Sequence, residues 1–81
     1  GSVRWVLGTG TGMAFRAELG LAKETDAELL VYDTSGRLLS RSDMAGGTIK
    51  RADFTVPQTG VYVVKVLTLE EEFTKKIMAT Y

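Results

Sequence analysis

The sequence predicts an all-β domain of about seven antiparallel strands, folded as a sandwich or a barrel. Turn-forming residues recur along the chain at intervals of roughly 10 to 14 residues, and short apolar runs fill the intervals. One of these runs alternates polar and apolar residues with the period of two that is typical of a strand. The one stretch with helical character, residues 17–26, has Gly20 in its middle, which disfavours a helix.

The first element with a clear pattern is strand 14–21. Four of its apolar residues fall on one face: Phe15, Ala17, Leu19 and Leu21. Arg16 and Glu18 fall on the other face, so this strand is expected to be half-buried, with one side toward the core.

Strands 27–33 and 60–67 are apolar on both faces. Such strands are typical of the middle of a sheet, and we expect both of their faces to be covered. The remaining predicted strands are residues 3–7, 37–43, 48–56 and 72–79. The glycine-rich residues 8–12 are expected to form a flexible joint or wide turn after the first of them.

Eighty-one residues are expected to form a single domain with one core. Gly1 and Ser2, with no initiating Met, are typical of a tag remnant, and residues 3–12 are expected to be a linker or a first strand. No apolar stretch reaches the roughly 18 residues that suggest a membrane span, so we expect no membrane insertion.

The charge balance and the absence of two residue types exclude several classes of function. Ten Lys and Arg against ten Asp and Glu give no net field to attract nucleic acid, so no nucleic-acid partner is expected. The chain has neither Cys nor His, which removes disulfides, the usual zinc ligands and the Ser-His and Cys-His nucleophile arrangements. We expect no enzyme and no cofactor.

Asp33 is the residue that could still support catalysis. The apolar run followed by Asp33-Thr34 is similar to the loop that carries the catalytic aspartate of aspartic proteases, which share a proton between two such carboxylates. That loop needs Gly where Ser35 stands, and one copy would require a homodimer. A type I turn with Asp33 first and Gly36 fourth accounts for every residue, with Gly36 at positive φ, and is the favoured interpretation.

Two further motifs are better explained by local structure. Residues 8–12 lack the last glycine of a phosphate-binding loop, because Met13 occupies its position. Residues 70–72, three consecutive glutamates, lack the spacing of a calcium loop and are predicted to form a solvated hairpin tip.

Residues 57–62 combine a turn with the start of a strand. Pro57 presets φ for a turn, Gly60 is expected at positive φ, and Tyr62 lies where Greek-key sandwiches place a tyrosine corner. Its hydroxyl is then expected to donate a hydrogen bond to the backbone a few residues upstream.

Lys75 and Lys76 lie in the last predicted strand, where alternation directs one lysine to each face. Lysines on an edge strand discourage pairing with other chains, and a role in recognition is the alternative. An unpaired terminal strand also permits a strand-paired or domain-swapped dimer.

Three segments in this order resemble a known family. They are Tyr-Asp-Thr-Ser-Gly-Arg-Leu at residues 32–38, Pro-Gln-Thr-Gly-Val-Tyr-Val-Val-Lys-Val at residues 57–66, and Phe-Thr-Lys-Lys-Ile at residues 73–77. Together they are similar to the type A C-terminal sorting domain of the type IX secretion system of Bacteroidota, over residues 15–78. Many members open with Asn-Pro, where this chain has residues 8–13.

The resemblance implies an immunoglobulin-like β-sandwich that directs its cargo across the outer membrane to the cell surface or the medium. It implies recognition by an outer-membrane translocon and, as in most members, removal by a sortase-like protease, whereas some members keep the domain as a permanent module. It places Asp33, Gly36 and Arg37 at one corner, Gly60 and Tyr62 at a second, and Lys76 in a terminal strand that the machinery needs. The predicted recognition residues are Asp33, Gly36, Arg37, Gly60, Tyr62, Lys75 and Lys76.

Two other functions are consistent with the sequence. One is an accessory immunoglobulin-like spacer or carbohydrate-contacting module of a surface protein, with Trp5, Phe54 and Tyr81 as the aromatic candidates. The other is a homodimeric protease built on Asp33.

Overall fold

The computed structural model describes residues 6–9 and 13–80, with side chains described from Met13 onward. Strands dominate this part of the chain, and it contains no helix long and apolar enough to cross a membrane. The strands are β1 (Val6–Thr9), β2 (Ala14–Gly20), β3 (Ala27–Asp33), β4 (Leu38–Asp43), β5 (Ala45–Gly46), β6 (Ile49–Thr55), β7 (Gly60–Thr68) and β8 (Glu72–Ala79).

The strands form two four-stranded antiparallel sheets. The first has the order β1-β2-β6-β5 and the second the order β4-β3-β7-β8. The chain changes sheet after β2, after β4 and after β6, so consecutive strands contribute to both layers. This is a β-sandwich, as predicted, with seven strands of four or more residues and the two-residue β5.

The core lies between the two sheets and is built from alternate residues of each long strand. Leu19 of the first sheet and Leu29, Val31, Val64 and Val66 of the second are the largest completely buried side chains. The rings of Phe15 and Phe54, paired across β2 and β6, are stacked with their centroids 5.3 Å apart. This alternation follows from the pleat, which sends neighbouring side chains to opposite faces.

The half-buried character predicted for strand 14–21 is confirmed. Phe15, Ala17 and Leu19 are buried, while Arg16 is exposed and forms an ion pair with Asp53 on the neighbouring strand β6. β3 and β8 have the predicted bounds, and β2, β4, β6 and β7 differ from the prediction by one residue at one or both ends. β1 extends two residues beyond its predicted end, and the two-residue β5 was not predicted. The possible helix over residues 17–26 is instead the end of β2 and a loop.

Two expectations are corrected. β3 and β7 do occupy the centre of their sheet, but within residues 6–9 and 13–80 only their inner faces pack against a second layer of the sandwich. Gly8 lies within β1, opposite Arg16, so a joint does not begin there. Residues 3–5 and 10–12, the rest of those two predicted segments, lie outside the described residues.

Candidate recognition site

Asp33 ends β3 and anchors the turn to β4. The Gly36 backbone N–H donates to the Asp33 carbonyl oxygen at 3.1 Å, which closes the turn, and Gly36 has a φ of 90°. Carboxylate oxygen Oδ1 of Asp33 accepts bonds from the Ser35 N–H at 2.9 Å, the Ser35 hydroxyl at 2.6 Å and the Arg37 N–H at 3.0 Å. The predicted Asp turn is therefore present, and its carboxylate is engaged by the turn itself.

The same carboxylate also interacts with the Arg37 side chain. Arg37 Nε lies 3.2 Å from Oδ2 of Asp33, although most of the guanidinium is exposed to solvent. The hydrogen bond from the Ser35 hydroxyl, followed by that from the Arg37 N–H, lowers the pKa of Asp33 below its usual value. A carboxylate whose oxygens accept hydrogen bonds from its own turn in this way suits a structural role.

The second corner is formed by Gly60 and Tyr62 at the start of β7. Gly60 has a φ of 151°, which confirms the expected positive φ. The Tyr62 ring is buried, and its hydroxyl donates a 2.6 Å hydrogen bond to the Gln58 carbonyl oxygen, four residues upstream. This is the predicted tyrosine corner, which ties the turn at residues 57–60 to the core.

The two corners lie side by side in the second sheet. Asp33 is directly opposite Tyr62, and Tyr62 is in turn opposite Ile77 of β8. Adjacent strands in a sheet are about 4.8 Å apart, so this row spans about 10 Å across three strands. The predicted residues of both corners are thus brought together at one end of the sheet.

Lys75 and Lys76 lie one strand away from the first corner, because β7 separates β8 from β3. Lys75 is opposite Val64, whose side chain is buried, and therefore points to the inner face at the edge of the sandwich. Lys76 is opposite Val63 and points to the outer face. Both lysines are exposed, and alternation directs one to each face, as predicted.

The outer face of the second sheet holds a contact that the sequence reasoning missed. Lys65 Nζ lies 5.4 Å from the centroid of the Tyr32 ring and 3.2 Å from a carboxylate oxygen of Glu72. Lys65 also lies opposite Leu30, which is buried although it points away from the core. Long cationic side chains cover apolar surface with their stems in this way.

A second missed residue is Lys50 of β6. It lies opposite the buried Leu19, so it faces inward, and it is only 5% exposed. Its ammonium donates a 2.7 Å hydrogen bond to the Gly46 carbonyl oxygen on β5. The signal was available in the sequence, since Lys50 shares its face of the strand with Ala52 and Phe54.

The aromatic residues considered for carbohydrate binding do not form a surface platform in the described part of the chain. Phe54 is buried against Phe15 and belongs to the core. Trp5 and Tyr81 lie outside the described residues.

Comparison with known families agrees with this geometry. The family model of the secretion system C-terminal sorting domain matches residues 15–80, which begin in β2 and extend past the end of β8. No curated protein shows significant similarity to the chain. The resemblance inferred from three short segments is thereby confirmed. Because the match covers most of the sequence, the chain belongs to the C-terminal sorting domains of type IX secretion, the signals for export through the outer membrane to the cell surface or the medium.

Proposed function

We propose that this domain is a non-enzymatic signal that carries an attached cargo protein across the outer membrane through the type IX secretion system. The observation that carries the proposal is the position of β8, which pairs with β7 on one side and forms the edge of its sheet on the other. An edge strand leaves a row of backbone groups free to pair with a receptor strand.

The two corners support a structural role for the residues that most resemble a catalytic motif. The Asp33 carboxylate accepts bonds from its own turn, and the Tyr62 hydroxyl donates to the Gln58 carbonyl. Both groups stabilise the end of the sheet at which β7 begins. We infer that Asp33, Gly36, Arg37, Gly60 and Tyr62 act in recognition by fixing the shape of this end.

The proposed partners are an outer-membrane translocon and a sortase-like protease that removes the domain after export. Lys75 and Lys76 are the proposed contact residues, since they are exposed on the edge strand. A strand-paired or domain-swapped dimer would occupy the same edge and so compete with the translocon.

Export of a reporter tests the proposal. The chain is fused to the C-terminus of a fluorescent protein directed to the periplasm of a host with the type IX machinery. We expect fluorescence at the surface or in the medium, and its loss in a translocon mutant. A folded fusion retained in the periplasm of the unmodified host would contradict the proposal.

Variants of the edge refine this test. Removing residues 73–81 would also remove Ile77 and Ala79 from the core, so a loss of export would not identify the contact. Lys75→Glu with Lys76→Glu changes only exposed side chains, and Lys23→Glu, in the exposed loop after β2, is the matched control. We expect export to fall in the β8 variant and to persist in the control.

A further inference from the structure

The turn between β7 and β8 fixes which backbone groups of β8 are free. The Thr68 N–H donates to the Glu71 carbonyl oxygen at 2.9 Å, so these two residues form a hydrogen-bonded pair. Such pairs alternate with non-hydrogen-bonded pairs along an antiparallel ladder. Counting along the register, the residues whose N–H and C=O groups point away from β7 are Glu72, Thr74, Lys76 and Met78.

The side chains along this free edge carry an uncompensated positive charge. Glu72 already pairs with Lys65 at 3.2 Å. The side-chain ammonium groups of Lys75 and Lys76 have no ion pair or hydrogen bond with another described residue. Met78, two residues further on, is 66% exposed and adds apolar surface beside them. The edge therefore combines free backbone groups, two adjacent cations and an exposed apolar side chain.

This charge pattern opposes pairing between two copies of the chain. An antiparallel pair of β8 strands centred on Lys75 would place that lysine opposite its own equivalent, and a pair centred on Lys76 would do the same for Lys76. Like charges directly opposite each other destabilise a sheet. The registers that use the whole strand are thus disfavoured, and a partner with the opposite charge is favoured.

We propose that the free edge of β8 binds an extended acidic segment as an added strand. Two adjacent carboxylates of this segment lie opposite Lys75 and Lys76, one on each face of the sheet, and an apolar residue lies beside Met78. The proposal rests on the sorting function proposed above and specifies the chemistry of the receptor strand: backbone hydrogen bonds supply affinity, and the paired acids supply selectivity.

Two synthetic peptides test the proposal with the full chain. Both alternate threonine and valine, and they differ in having two adjacent glutamates or two adjacent lysines at the centre. We expect the glutamate peptide to bind about fivefold or more tightly than the lysine peptide, since two cross-strand charge pairs contribute about 0.5 kcal/mol each. Fluorescence anisotropy measures the affinity.

The location of binding is checked separately by amide chemical shifts. The glutamate peptide is expected to shift the amides of Glu72, Thr74, Lys76 and Met78, and N-methylation of its backbone is expected to abolish binding. Lys75→Glu with Lys76→Glu should reverse the preference toward the lysine peptide, while Lys23→Glu should leave it unchanged. Equal affinity for both peptides, or shifts confined to other strands, would overturn the proposal.

The peptide assay and the export assay can fail independently. If the reporter is exported while the peptides are not distinguished, the acidic-strand proposal is wrong and the sorting function stands. If the peptides are distinguished while the reporter stays in the periplasm, the edge binds acidic strands but the proposed sorting function is wrong, and with it the assignment of that strand to a secretion receptor.

Discussion

Asp33 and Tyr62 lie directly opposite each other on β3 and β7, and each anchors the turn next to its own strand. One uses a carboxylate as acceptor for the turn that follows it, and the other uses a hydroxyl as donor to the turn that precedes it. Because the two residues are neighbours, the hydrogen bonds that hold both turns lie at one end of the sheet. Residues in contact often have non-additive effects on stability, so these two positions are best tested singly and together.

Tyr62→Phe should lower the free energy of unfolding by about 1 to 2 kcal/mol. The variant keeps the buried ring but removes the donor to the Gln58 carbonyl oxygen, which leaves a partly buried polar group without that bond. Urea denaturation followed by circular dichroism measures the change.

Tyr32→Phe is the matched control for that substitution. The Tyr32 ring is half-buried and contacts Lys65 through its face, an interaction that phenylalanine preserves. We expect a change within about 0.5 kcal/mol. An equal loss in both variants would mean that the hydroxyl bond at the corner has no special role.

Asp33→Asn should make the free energy of unfolding less dependent on pH in the acid range. The folded pKa of Asp33 is lowered below the unfolded value of about 3.9, so its ionised form stabilises the fold above that pH. In the unmodified chain this contribution is lost as the pH falls through the unfolded value toward the folded pKa. Unfolding curves at a series of pH values should therefore converge for variant and unmodified protein at the acid end.

Asp53 provides a comparison for this pH effect. Its pKa is also lowered, first by the hydrogen bond from Arg16 and then by the charge of that residue, but the pair is exposed on the outer face of the first sheet. Salt screens exposed pairs, so the effect of Asp53→Asn should shrink at high ionic strength. The Asp33 effect should persist, because its main causes are hydrogen bonds from neutral donors, the Ser35 hydroxyl and the Arg37 backbone N–H. An Asp33→Asn curve parallel to that of the unmodified chain would contradict this account.

Gly36→Ala should cost about 1 to 2 kcal/mol of stability through backbone strain. The φ of 90° is unfavourable for any residue with a Cβ, although the space around Gly36 is open. Gly47→Ala is the matched control, because that glycine also has open space and no positive φ. The comparison isolates strain from packing, and equal stability of the two variants would show that the turn adapts to the side chain.

Lys50→Met should leave stability unchanged or raise it by up to about 1 kcal/mol. Methionine keeps the apolar stem and removes a buried charge, and water can reach the exposed Gly46 residue that loses its donor. Lys50→Ala should instead destabilise the domain by about 1 to 2 kcal/mol, because the stem is lost from the inner face. Thermal unfolding of both variants tests this order of stability. A Met variant less stable than the Ala variant would show that the hydrogen bond of the ammonium contributes more than the packing of the stem.

The sequence is informative where local chemistry determines the structure. The order Asp, Ser and Gly at positions 33, 35 and 36 specifies the turn, its carboxylate bonds and its positive φ without reference to the rest of the fold. The tyrosine corner is equally local, since donor and acceptor are four residues apart. Both were predictable for this reason.

The sequence is less informative where the outcome depends on the number of layers or on distant neighbours. The apolar outer residues of β3 and β7 suggested a second layer on both faces, but the buried outer residue Leu30 lies opposite Lys65 within its own sheet. Lys50 is buried where β5, a two-residue strand between the predicted strands 37–43 and 48–56, supplies a carbonyl to its ammonium. Neither fact can be read from the period of a single strand.

Each sheet combines pairings that are close in sequence with one pairing that closes a long stretch of chain. In the second sheet, β3 and β4 form one hairpin and β7 and β8 form another, so these pairings join residues that are close in sequence. In the first sheet, β2 pairs with β6, and the Arg16 and Asp53 partners are 37 residues apart. Contacts of long sequence separation form slowly, since the loop must close before the contact is gained. We therefore expect the hairpin that carries the free edge to form early. The joining of β2 to β6 and of β3 to β7, whose Leu29 and Val66 partners are also 37 residues apart, is expected to set the folding rate.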